Sequence, residues 1–488
     1  MSQSVSPSHW QLRTKIRDAY FWITAVTMVR HVIGFGISIL LARLLQPSEY
    51  GLIGMVLVFS SILASVQELG LGDAVVHFNE DESSLRTYYS VTALAGAVSM
   101  GTLMLAAPLV AAFYREPRLT ILLRTLSVNL FMAGLQNVSR GRLGKSFRFK
   151  ELTVRDTIAM VSGGVVGIIL AVRGFGVWSL VANLVVFQLL QCLLIIHLVP
   201  PRYTLHIQSS VLKRIFSYGL PLTAGGLLFQ FYDNADYLVV GKMVGAEALG
   251  FYTMAFRLAT LAHEKIAAVV NRVAFPSFAA MQNEVDRLVE HWFSISRTIS
   301  FFNAPLLVYL AVNAPDLVTL GLGKKWLPSV TPLRFLCVVG ALRSLVHVIP
   351  PILNAVGRTK MVFKFTIANA VLLPASFVIG CKLGGLTGVG VAWCVVYPGL
   401  WLFLLFSLQR VVKFSLRAYF LNLRLALVAA SLCLMVMLGA GWQAAPGWER
   451  LILRSATGGV TFAACALSQR NIRERVLGMV SRISSRLG

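Results

Sequence analysis

The stretch "DNADYLVVGK" occupies residues 233–242, between "GLPLTAGGLLFQFY" (219–232) and "MVGAEALGFYTMAF" (243–256). Two carboxylates, Asp233 and Asp236, lie three residues apart inside an apolar run long enough to cross a hydrocarbon core of roughly 30 Å. Similar runs of about 20 residues recur from end to end of the 488-residue chain. Only 13% of residues are charged and 57% are hydrophobic, with a mean hydropathy of +0.73. Soluble domains carry about 25% charged residues, so the fold class is all-α, polytopic and membrane-embedded.

The runs define about fourteen spans: 20–45, 50–72, 87–114, 119–139, 153–172, 175–199, 215–244, 247–274, 297–321, 330–352, 361–382, 386–408, 418–440 and 448–467. Their connections are too short to hold a soluble domain. The net charge of +24 would point to nucleic acid in a soluble protein, but here Lys and Arg lie mostly in the gaps between spans. With a cytoplasmic N-terminus, about 26 of them fall on the inner side and roughly 10 on the outer. Both termini are therefore expected in the cytoplasm, and no nucleic-acid partner. The first run follows Arg13, Lys15 and Arg17 and is expected to be a retained helix. The tail places Ile472, Val476, Met479, Ile483 and Leu487 at helical spacing opposite arginines, the pattern of an interfacial amphipathic helix, with a flexible basic tail as the alternative. Cys192, Cys337, Cys381, Cys394, Cys433 and Cys465 are scattered singly, which supports neither a metal site nor a disulfide framework.

Two hairpins share a layout, "ARLLQPSEYGLIGM" (42–55) and "GKMVGAEALGFYTM" (241–254). A basic residue (Arg43, Lys242) closes one helix, and eight residues later a glycine (Gly51, Gly250) opens the next. The offset superimposes spans one and two on spans seven and eight. A six-span unit repeated in the same orientation follows. The expected organisation is an N-terminal segment (1–19), a first six-helix bundle (20–200), a linker (201–214) and a second bundle (215–410). Two additional spans (411–467) and a basic cytoplasmic tail (468–488) complete it.

Several ionisable residues fall inside spans: Arg30 and His31; Asp233 and Asp236; Arg257, His263, Glu264, Lys265 and Arg272; Arg334 and Arg343. Each costs roughly 2.5–3.5 kcal/mol at the bilayer centre, so the set must face itself or water. At about 100° per residue, Arg257, Glu264, Lys265 and Arg272 form a stripe on the eighth span. Asp233 and Asp236 fall about 60° apart on the seventh by the same rule. Pro221, Gly225 and Gly226 weaken the seventh span in its first turns. Bases outnumber acids, which favours an anionic ligand, although buried structural ion pairs would use the same residue types.

Together these stretches resemble the bacterial polysaccharide repeat-unit flippases (Wzx-type), of the exporter superfamily that also contains MATE drug carriers and lipid II flippases. The resemblance rests on "LLARLLQPSEYGLIGMV" (40–56), "ELGLGDAVV" (68–76), residues 233–258, "FPSFAAMQNE" (275–284), "LGKKW" (322–326) and "NAVGRTK" (354–360). It implies a MATE-like pair of six-helix bundles around a cavity in the bacterial cytoplasmic (inner) membrane. It also implies a substrate, an undecaprenyl-pyrophosphate-linked oligosaccharide, with no cofactor, and a polysaccharide polymerase and chain-length regulator as partners. Arg30, Arg257, Lys265 and Arg272 would then meet the substrate. Asp233, Asp236 and Glu264 would hold those cations or bind a coupling ion, and Arg43, Gly51, Lys242 and Gly250 would be structural.

Two alternatives come from the same superfamily, a lipid II flippase and a MATE-type multidrug or cation antiporter. The basic eighth span argues against the antiporter. A membrane-bound polysaccharide polymerase would be an enzyme, and such enzymes usually carry a long extracytoplasmic loop. The chain has neither such a loop nor a P-loop, GxSxG or HExxH motif, so a non-enzymatic carrier is expected.

Overall fold

Inside hydrocarbon every backbone N–H and C=O must find a partner within the protein, and a helix satisfies that requirement locally. A computed structural model describes residues 9–68, 82–146, 148–204, 207–282, 284–442 and 444–468. For 9–25, 68, 214–216, 218–222, 261–276 and 279 it describes the backbone alone. The expected amphipathic tail and most of the 68–76 motif lie outside the described residues.

The helices are α1 (His9–Leu44), α2 (Pro47–Glu68), α3 (Glu82–Tyr114), α4 (Arg118–Lys145), α5 (Phe149–Val172), α6 (Val177–Leu198), α7 (Ser209–Asp233) and α8 (Ala235–Met243). They continue with α9 (Ala246–Ala280), α10 (Val285–Leu317), α11 (Val330–Val346), α12 (Ile349–Ala355), α13 (Thr359–Gln409), α14 (Leu416–Ala440) and α15 (Trp448–Leu467). A π-turn (Val318–Leu322) and a 3-10 turn (Lys324–Ser329) join α10 to α11, and the described residues contain no strand. Residues Gly384 and Gly385 break α13 into two legs, with Gly385 at φ 55°. Counting α7 with α8 as one leg, the described residues form legs at each of the expected spans. Among the described residues, ten stretches are long and apolar enough to cross a membrane by length and composition.

The chain divides into two compact units, Met1–Gly250 and Phe251–Gly488. Lipid tails offer helices no hydrophobic drive to associate, so small residues that admit close backbone approach decide the packing. In the first unit a Cβ added to Gly134 would lie 3.0 Å from the Cα of Gly96, which fixes the α3–α4 crossing. One added to Gly163 would lie 2.7 Å from the Asn183 carbonyl, fixing α5 on α6. The segment after α6 is strapped to the start of α3. Ser90 donates to the Thr204 carbonyl (2.8 Å) and accepts from the Thr204 N–H (2.9 Å), while Arg202 pairs with Glu82.

In the second unit α14 and α15 pack on α10. At one end of α10, Trp292 stacks on Tyr419 with centroids 4.7 Å apart. At the other, Asp316 is 4% exposed and accepts two hydrogen bonds from Arg450 (2.6 and 2.7 Å) and one from the Gly447 N–H (3.3 Å). Arg454 stands 4.0 Å away. Breaking one side of such a pair leaves an uncompensated buried charge, a loss of about 3–5 kcal/mol. Asp316→Ala is therefore expected to lower the melting temperature in detergent markedly. An unchanged melting temperature would show that the pair does not anchor α15.

Candidate functional site

The opening carboxylates owe their placement to a break in the helix. The seventh leg stays helical past Pro221, Gly225 and Gly226 and is interrupted at Asn234 instead (φ −112°, ψ 7°). The Asn234 side chain donates to the Gln230 carbonyl (2.8 Å), closing α7. Asp236 begins the next helix. It is fully buried, and its Oδ1 accepts the Tyr237 N–H at 2.8 Å. A carboxylate in a first turn satisfies free N–H groups and complements the helix dipole. The two carboxylates therefore lie on either side of the interruption, Asp233 as the last residue of α7 and Asp236 as the second of α8.

The repeated hairpins meet each other. Pro47 starts α2 with a fixed φ, and the Glu49 carboxylate accepts the Gln46 N–H at 2.7 Å, capping the helix start. A Cβ added to Gly51 would lie 2.6 Å from the carbonyl carbon of Ala246, and one added to Gly250 would lie 2.5 Å from that of Pro47. Pro47 corresponds to Ala246, and Gly51 to Gly250, at a constant offset of 199 residues. The contact is thus reciprocal between the two hairpins. Lys242 donates to the Phe113 carbonyl and lies 4.7 Å from the Phe113 ring centroid, capping α3. Arg43 is exposed.

Arg30 is half-buried on α1 and pairs with Asp156 on α5 at 3.2 Å. Asp156 also accepts from Arg155, through Nε (3.0 Å) and Nη2 (2.7 Å), and from Gln191 on α6 (2.9 Å). Sequence reasoning singled out Arg30 and missed Arg155, Asp156 and Gln191. The missed signal is the Arg155–Asp156 pair, which lies inside the fifth span yet reads as the tail of the basic connection before it. With Arg30 they form a cluster of four residues that brings two guanidiniums onto one carboxylate.

Arg257 is exposed on α9. The side chains of His263, Glu264, Lys265 and Arg272 lie outside the described residues, although α9 carries their backbone. Arg334 is exposed and donates to the Ala311 carbonyl (3.3 Å). Arg343 is buried, 5.6 and 5.5 Å from the ring centroids of Phe256 and Trp393. Among the described residues no group of three His, Cys, Asp or Glu side chains is placed to hold a metal ion.

The fold is that of a multi-pass all-helical membrane protein. It superimposes on a lipid II flippase MurJ in an inward closed conformation with a TM-score of 0.75 at 13% identity, covering 93% of this chain and 100% of that one. It superimposes on an inward-facing MATE-family multidrug resistance transporter of the MOP superfamily with a TM-score of 0.63 at 16% identity, covering 79% and 96%. Residues 40–331 match the model of the polysaccharide biosynthesis protein family, and the chain belongs to that family. Among its relatives are the lipopolysaccharide biosynthesis protein WzxC of Escherichia coli K12 (25% identical, 79% of both chains) and the teichuronic acid biosynthesis protein TuaB of Bacillus subtilis 168 (28%, 73% and 74%). The succinoglycan biosynthesis transport protein ExoT of Rhizobium meliloti 1021 is 25% identical, over 73% and 72%.

Proposed function

We propose that the protein is a flippase that moves undecaprenyl-pyrophosphate-linked oligosaccharide repeat units from the inner to the outer leaflet of a bacterial cytoplasmic membrane. The delivered units feed exopolysaccharide, capsule or lipopolysaccharide synthesis. Family membership and a transport protein among the relatives support this reading. The observation that carries it over a cation carrier of the same fold is the excess of guanidinium over carboxylate at Arg30, Arg155 and Asp156. Pyrophosphate oxygens accept bidentate hydrogen bonds from arginine in a low-dielectric setting.

In this reading Arg30, Arg257, Lys265 and Arg272 are the cations that meet the pyrophosphate. Asp233, Asp236 and Glu264 act as charge partners or carry a coupling ion. The bundles 20–200 and 215–410 are the moving bodies of an alternating-access cycle, both termini are cytoplasmic, and a polymerase and a chain-length regulator receive the product. The protein performs no covalent chemistry. The test is reconstitution in proteoliposomes with a fluorescent undecaprenyl-pyrophosphoryl oligosaccharide. Transfer across the bilayer faster than in empty liposomes is expected. Transfer of organic cations with none of the lipid-linked sugar would give the protein to the drug-carrier reading.

A further inference from the structure

The four hydrogen bonds that Asp156 accepts, from three side chains, are not equivalent. Its Oδ1 accepts from Arg155 Nε and Nη2 and from Gln191 Nε2, at 3.0, 2.7 and 2.9 Å. Its Oδ2 accepts from Arg30 Nη1 alone, at 3.2 Å, the longest of the four. Arg155 is 3% exposed, and its Nη1 is buried without an acceptor. Arg30 and Asp156 keep 23% and 27% exposure. One guanidinium is therefore locked behind the carboxylate while the other is held loosely on its open side.

The charges give that asymmetry a consequence. Arg155 already neutralises Asp156, so the charge of Arg30 is left uncancelled and its hydrogen bond is the one an incoming anion can replace. Retaining a buried Arg155 with an orphan N–H is costly in a low-dielectric interior. A Leu or Met would fill the same space more cheaply if packing were its only task. The arrangement makes sense when Asp156 has to be kept paired and in place while Arg30 leaves it.

We propose that Asp156, held by Arg155 and Gln191, is a positioning residue that presents Arg30 to a phosphate oxygen and competes with that oxygen for the guanidinium. The proposal rests on the reading of the protein as a carrier of pyrophosphate-linked lipid. When the headgroup arrives, Arg30 exchanges Asp156 for phosphate, and Arg155 keeps the stranded carboxylate neutralised. When the headgroup must leave, Asp156 takes Arg30 back. Grip and release are then set by one ion-pair exchange, with Arg155 tuning how strongly Asp156 competes.

The two partners of Arg30 should therefore act in opposite directions. Asp156→Asn removes the competitor and tightens binding of undecaprenyl pyrophosphate by about tenfold, while slowing turnover. Arg155→Gln leaves the full carboxylate charge on Arg30 and weakens binding by a similar factor. The measurement is binding of undecaprenyl pyrophosphate to the purified full-length protein in lipid nanodiscs, with lipid transfer in proteoliposomes read in parallel. Arg155→Lys serves as a second variant that keeps the buried charge and is expected to stay near the wild-type affinity.

Weaker binding by Asp156→Asn, or affinities of both variants equal to wild type, would overturn the exchange. A packing role alone would move both variants in the same direction. Arg30→Ala separates the two levels. If it loses binding while Asp156→Asn is unchanged, the exchange fails and the flippase reading stands. If Arg30→Ala binds as wild type does, the anion-binding assignment of the cluster fails with it.

Discussion

Replacing Gly51 with valine is expected to reduce polymer export to less than about a tenth of wild type. The atoms that a side chain would meet at this position are the backbone carbonyl of Ala246, not the end of a flexible side chain. No rotamer change can relieve the clash, so the N-termini of α2 and α9 must move apart. Elsewhere in a helix, replacing glycine by a residue with a Cβ restricts the unfolded chain and stabilises by about 0.5–1 kcal/mol, so a loss at Gly51 reports the crossing. Because the contact is reciprocal, Gly250→Val should fail in the same way against Pro47. Gly101→Ala on α3 is the control, since a Cβ there meets nothing within 4 Å. Export and membrane abundance, measured together, check the prediction. Normal export by Gly51→Val at normal abundance would mean that the repeats need not approach so closely.

The second large effect is expected at Arg257. It lies eleven positions into α9, roughly 16 Å along the helix axis, and its side chain is exposed while its neighbours Ala255 and Ala259 are buried. A guanidinium exposed at that depth toward lipid would cost roughly 2.5–3.5 kcal/mol, so its exposed side is expected to face water. With its exposed side in water, truncation to alanine is expected to leave folding intact while removing the cation proposed to meet the phosphate. Arg257→Ala is expected to abolish export at native protein levels. Arg257→Lys keeps the charge without the planar fork and should retain a fraction of it. Polymer yield against immunoblot of the membrane fraction provides the measurement, and normal export by Arg257→Ala would remove this residue from the substrate's path.

The spans were legible because hydropathy over about 20 residues records the thickness of the solvent that surrounds the protein. The repeat was legible for a different reason. Close backbone contact admits only glycine at Gly51 and Gly250, so geometry left the same residue at both ends of a fixed offset. The weak point read into the first turns of the seventh leg is not where the helix is interrupted. Pro221 and the two glycines are the stronger breakers by propensity, yet α7 continues through them and stops at Asn234. Tertiary surroundings supply partners that keep Pro and Gly helical in membrane spans, while an asparagine that bonds its own carbonyl turn ends the helix at modest cost.

The site was half legible. Arg30 stood out because its span is otherwise apolar around it. Asp156 and Arg155 did not, because they follow a basic connection and look like its continuation. Only the packing of α1, α5 and α6 shows that Asp156 has three donors from three helices. Residues that pair across helices leave no periodic trace in the sequence of any one helix.

The measurement that tests the flippase account most directly is made on lipids extracted from a deletion strain of the source bacterium. Mass spectrometry identifies polyprenyl-linked repeat units, and a membrane-impermeant probe reports the leaflet they occupy. The account predicts that secreted polymer is lost and that complete repeat units accumulate on the cytoplasmic leaflet, with rescue by the wild-type gene but not by Arg257→Ala. Complete units that reach the outer leaflet and remain unpolymerised would contradict it, and would place the protein after the crossing instead of at it.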